Sequence, residues 1–160
     1  MDILWNIVFN PILFVSMLAW LLAQGTKILL AFLLGRKVSP RMIMQSGGFP
    51  SAHSALVAAM TIQVGQVVGW NDPLFAVSLI FAFVVMHDAA GVRRAAGEHA
   101  YLINEMIDRL ELSHIRKDTK KGRKEAARLK ELIGHTPFEV CAGAIMGVAM
   151  AVLYRIIFMG

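Results

Sequence analysis

Three short stretches of this 160-residue chain gather side chains suited to binding an anion and moving protons. The first is Gly47-Gly48-Phe49-Pro50-Ser51-Ala52-His53-Ser54. Its paired glycines permit positive φ, Pro50 suits a first helical turn, and the free N–H groups of such a turn point toward an anion. His53 stands beside that turn, where an imidazole can donate a proton to a departing oxygen. The second is His87-Asp88-Ala89-Ala90-Gly91-Val92-Arg93-Arg94, whose arginines can cradle a phosphate bidentately. The third is Gly134-His135-Thr136-Pro137-Phe138-Glu139. Glu139 follows His135 by four residues, so its carboxylate can hold the ring in one tautomer, as a nucleophilic or basic histidine requires.

Each stretch also has a plain structural account. A helix start with an interfacial histidine explains the first. In the second, Arg94 and Glu98 have the spacing of a helical ion pair. In the third, Thr136 and Glu139 fit a capping box, with Thr136 as N-cap and Glu139 at N3. That box explains Thr136, Pro137 and Glu139 but not His135. Cys141, inside an apolar run, reads as a small packing residue. Being the one cysteine, it excludes an intramolecular disulfide. A metal site built from His87, His99 or His114 has no tight ligand spacing behind it.

The elements that must position these residues are membrane helices. The chain is 57% hydrophobic and 17% charged, with a mean hydropathy of +0.60. A soluble domain carries about 25% charge. The excess lies in long runs, which points to lipid. The expected fold is all-α: one polytopic membrane domain, residues 1–160, with about four transmembrane helices near 11–34, 54–70, 73–88 and 137–158. The helical pattern of the third extends to about Leu110, and a basic, helical or looped connection occupies about 93–133. Asn71-Asp72-Pro73 reads as a tight turn opening the third helix. Gly143 and Gly147 form a GxxxG packing motif, and self-association of the bundle is an open expectation. The first apolar segment reads as a retained span rather than a signal peptide.

Charge gives the orientation. Arg36, Lys37 and Arg41 lie in the first connection, and Arg93, Arg94 and the stretch Arg116, Lys117, Lys120, Lys121, Arg123 and Lys124 in the third. Positive connections stay in the cytoplasm, so both termini are expected outside, with Arg155 a mild exception. Topology therefore accounts for the net charge of +5 before nucleic acid does, and no nucleic-acid partner is expected. All three reactive stretches then fall at the cytoplasmic ends of helices in the cell membrane.

Together these residues resemble the divergent branch of the type 2 phosphatidic acid phosphatase family, which is related to vanadium-dependent haloperoxidases. The resemblance covers nearly the whole chain. It is carried by Gly47 to Ser54, by Asp88 to Gly97 (DAAGVRRAAG) and by Gly134 to Gly143 (GHTPFEVCAG). The P-S-G-H motif of the broader family resembles Pro50-Ser51-Ala52-His53, with Ala52 in place of glycine. Its H-x-x-x-D resembles His135 with Glu139. The resemblance implies that His135 accepts the phosphoryl group, Glu139 orients it and His53 protonates the leaving alcohol. Ser51 and the backbone at Ala52 would bind phosphate oxygens. Neither a metal nor another cofactor is implied. Leu129 stands where the broader family has an arginine, and its K-x6-R-P motif is missing. Arg93 and Arg94, then Lys27, are the cations that would replace them, with Asp88 beside them. The expected function is hydrolysis of a lipid phosphate or diphosphate. The alternatives are a non-catalytic protein that keeps an anion or lipid-phosphate site, and a small transporter or channel with Gln24, Lys27, Gln63 and Gln66 along a path.

Overall fold

Helix starts are written into the local sequence. The computed structural model describes residues 9–35, 47–109 and 134–158. Asn10 caps α1 (Pro11–Leu33), its side chain accepting from the N–H groups of Ile12 and Leu13 at 2.9 and 3.2 Å, with Pro11 in the first turn. Ser51 caps α2 (Ala52–Val68). Asp72 caps α3 (Pro73–Ala90), accepting from Leu74 N–H at 2.8 Å, so the Asn71-Asp72-Pro73 turn starts a helix as its composition suggests. Gly91 separates α3 from α4 (Val92–Arg109). The box of Thr136 and Glu139 opens α5 (Pro137–Phe158): Thr136 N–H donates to Glu139 Oε2 at 3.0 Å and Glu139 N–H to Thr136 Oγ1 at 3.3 Å.

The bundle is organised around α2, which packs on α1, α3 and α5. Ten of its 17 residues are buried, so it is the central helix. The interior is made of small side chains: Ala19, Ala23, Ala52, Ala55, Ala59 and Ala151, with Val15. Gly143 and Gly147 explain how α5 comes so close, since a Cβ on either would run into the carbonyl oxygen of Ser51 or Ala55 on α2. Large apolar side chains such as Leu21, Leu29, Phe32, Ile80, Phe83, Ile145 and Ile156 face outward. Small residues inside and large ones outside suit lipid, where close backbone packing holds helices together and apolar side chains need no cover.

Three stretches are long and apolar enough to cross a membrane: α1, the stretch Pro73–Arg109 containing α3 and α4, and α5. The remaining segment expected to span is α2, which at 17 residues is about 26 Å long and below that length. α5 runs parallel to α2, with Gly143 against Ser51 and Gly147 against Ala55, and antiparallel to α1. At one end Ser51 N–H donates to the Glu139 carbonyl at 3.0 Å, and at the other the rings of Phe14 and Tyr154 lie 6.2 Å apart.

Several expectations need correction. Pro50 is not in the first turn of α2; it precedes the cap, because Ser51 supplies the hydroxyl that starts the helix. The helical pattern after Met86 does continue to Arg109, with a single break at Gly91, where no side chain stiffens the backbone. Trp70 lies beyond α2 and folds back so that its ring covers Gly65. Cys141 is exposed on α5 rather than packed inside. Arg36, Lys37, Arg41, His114, Leu129 and the basic stretch from Arg116 to Lys124 lie outside the described residues.

Candidate functional site

The first and third stretches are stitched by the Ser51 to Glu139 backbone bond, and the third and second by His135 N–H donating to the Ala89 carbonyl at 2.9 Å. Three segments far apart in sequence thus meet at one end of the bundle. Between them lies a cavity of about 200 Å³ lined by His53, Val84, Val85, Asp88, Ala89, Arg93 and His135. A second, wider concavity of about 560 Å³ lies on the other side of His135 and is lined by Arg94, Glu98, Thr136 and Glu139 among others.

His135 is the most constrained of these side chains. Its Nδ1 is 3.1 Å from Glu139 Oε2. An ionised carboxylate only accepts, so Nδ1 carries the proton and Nε2 keeps the lone pair. That Nε2 is buried and has no hydrogen-bond partner. A buried polar atom left unpaired costs free energy, which marks it as a place where a ligand atom would be welcome. Burial pulls the His135 pKa below the ordinary imidazole value; the hydrogen bond that Nδ1 donates to Glu139 raises it in part, Lys27 lowers it, the Glu139 charge raises it and His53 lowers it again. Burial therefore favours the neutral ring, with the proton on Nδ1 and the lone pair on Nε2.

His53, on the first turn of α2, lines the small cavity opposite, and the charges acting on it are those of Arg93 and Lys27. Lys27 is a buried residue of α1 close enough to Glu139 to feel its charge. Arg93 Nε pairs with Asp88 Oδ2 at 2.6 Å and Arg94 Nε with Glu98 Oε1 at 3.0 Å. The second is the helical pair that the spacing suggested. The two arginines part company, Arg93 lining the small cavity and Arg94 the larger. Both pairs are well exposed, so each is worth only about 0–1 kcal/mol and an incoming anion can compete for the guanidinium.

Ser51 and Ala52 line neither cavity. Ser51 is fully buried; its Oγ accepts from the Ser54 hydroxyl at 2.9 Å and its N–H is spent on Glu139. Capping and stitching account for it without a ligand. Gln24 and Gln63 are buried among the helices, and neither lines a cavity. Among the described residues no three His, Cys, Asp or Glu side chains cluster as a metal set, and His87 and His99 join none. Sequence reasoning missed Val84, Val85 and the Ala89 carbonyl; only their position about one to two and a half turns before Arg93 hinted that α3 would line the cavity.

A helical bundle with small residues inside, an apolar exterior and a paired-histidine cavity at one end defines a membrane protein with a site at its rim. A sequence model of the Divergent PAP2 family matches residues 8–150, and the chain belongs to that family. It is also similar to the uncharacterized membrane protein YuiD of Bacillus subtilis (strain 168), with 40% identity over 147 residues, covering 90% of this chain and 93% of that protein. No solved structure matches the chain.

Proposed function

We propose that this protein is a multi-pass cell-membrane phosphatase that hydrolyses a lipid phosphate or diphosphate at the cytoplasmic face through a phosphohistidine. The observation that carries the reading is His135, its Nε2 buried and unpartnered and its Nδ1 held by Glu139, lining a cavity shared with His53 and Arg93. Family membership supports the same chemistry.

The reaction runs in two displacements. The Nε2 lone pair of His135 attacks phosphorus, the P–O bond to the lipid breaks, and protonated His53 gives its proton to the departing oxygen. Glu139 stabilises the positive charge on the phosphorylated ring. Water then attacks phosphorus, neutral His53 takes its proton, and the P–N bond breaks to restore Nε2. Arg93 turns from Asp88 to the equatorial oxygens, and Lys27 adds positive charge from α1. No step calls on a metal. The basic connections keep this end of the bundle inside and both termini outside.

A second reading, a non-catalytic lipid-phosphate site, is favoured by one observation: both arginines are already paired with acids. Purified protein in mixed micelles distinguishes the two. The phosphatase releases inorganic phosphate from a lipid phosphate, is inhibited by vanadate, and loses turnover as His135→Ala. Binding of the lipid phosphate without release, or full turnover in His135→Ala, would overturn the assignment.

A further inference from the structure

The last four carbonyls of a helix have no partner within it. At the end of α3, the His87 carbonyl accepts from Gly91 N–H at 2.8 Å and the Ala89 carbonyl accepts from His135 N–H at 2.9 Å. The break at Gly91 therefore leaves a socket, and the residue that fills it is the one with the unpartnered ring nitrogen. Gly134 is what lets the chain reach it. Its φ is +99°, and a Cβ there would collide with backbone atoms of Arg93 and Arg94 in the first turn of α4. Two independent constraints, backbone conformation and contact, thus exclude a side chain at residue 134.

We propose that Gly134 is a positioning residue, whose bare backbone, pressed against the first turn of α4, lets His135 dock on the Ala89 carbonyl and aims its ring into the small cavity. The docking bond fixes the backbone end of His135 and Glu139 fixes Nδ1, so two anchors set where Nε2 points. The second stretch then has a role beyond its cations: its helix break holds the nucleophile. For its effect on turnover this inference rests on the phosphatase reading. For its effect on the ring it does not.

The groups that face the His135 ring are Glu139 from α5, His53 from α2 and Lys27 from α1, with Asp88 and Arg93 across the cavity. Their effect changes if the ring moves. The test compares unmodified protein, Gly134→Ala and Gly69→Ala in detergent, with ring-¹⁵N-labelled histidine titrated by NMR and His135→Gln used to assign the signal. Gly69 at the far end of the bundle has φ +109° but nothing within 4 Å of a Cβ, so it carries the strain without the collision. Gly134→Ala is expected to move the His135 titration up toward the ordinary imidazole range and to lower kcat about 10- to 100-fold with KM little changed. Gly69→Ala is expected to change neither. Gly91→Ala, whose Cβ would press on the His87 carbonyl at 3.0 Å, disturbs the same socket from the other side and gives a smaller shift in the same direction, which keeps the test open if Gly134→Ala does not fold. An unchanged His135 titration in both socket variants, or the same shift in Gly69→Ala, would overturn the proposal. Unmodified protein without turnover would instead remove the phosphatase reading, and the titration would still decide the positioning.

Discussion

Replacing Glu139 by glutamine separates its charge from its shape. The carboxylate is 20% exposed and serves two partners, His135 Nδ1 at 3.1 Å and Thr136 N–H at 3.0 Å. Glutamine keeps one acceptor oxygen, so the helix cap can survive. What it loses is the negative charge that balances an imidazolium, and the restriction to accepting that keeps the proton on Nδ1. A hydrogen bond to a charged group is worth about 1.5–3 kcal/mol, and losing it in the transition state corresponds to roughly 10- to 150-fold in kcat. The assay is phosphate release from a lipid phosphate, with thermal unfolding in detergent run alongside. We expect kcat to fall within that range while the unfolding midpoint moves little. Turnover retained within about twofold would refute the argument that the carboxylate prepares His135 for attack.

Three further outcomes follow from the same geometry. Gly147→Ala should cost about 1–3 kcal/mol by forcing α5 away from the Ala55 carbonyl, whereas Gly25→Ala, with open space around its Cβ, should be neutral or stabilising; thermal midpoints in detergent decide. Lys27→Met should raise KM for the phosphate about tenfold or more without lowering the unfolding midpoint, since it removes a buried charge that, on the proposed reading, also attracts the phosphate. Because His135 has a lowered pKa when folded, the unfolded chain binds its proton more readily, so this contribution is present above about pH 6.5 and is lost as pH falls through the folded value. Thermal scans of the unmodified protein should show that loss on acidification, and His135→Gln should lack this component of it.

The parts of the fold that were legible in the sequence are those fixed by local chemistry. Asp72 and the Thr136–Glu139 box announce helix starts through groups within three residues of one another. Gly143 and Gly147 announce a close helix contact because a four-residue spacing places both on one face. The pairing of His135 with Glu139 was legible for the same reason. What could not be read was anything decided across helices. The capture of the Ser51 N–H by Glu139 and the docking of His135 on Ala89 join residues more than a helix apart. Ser51 thereby became a buried cap instead of a cavity wall, although its type and spacing suited an anion. Arg93 and Arg94 are adjacent in sequence, and about 100° per residue on a helix sends them into different cavities. Cys141 looked like a packing residue by size and surroundings, yet its side of α5 faces outward.

The central claim is that His135 forms a covalent bond to phosphorus, and the most direct measurement is to look for it. Protein mixed with lipid phosphate labelled in the phosphoryl group should be quenched in alkali within one turnover, digested and sequenced by mass spectrometry. The account predicts acid-labile phosphate on His135 alone, absent from His135→Ala and accumulating in His53→Ala when the alcohol is a good leaving group. Turnover with no phosphate on His135, or phosphate on a different residue, would contradict it.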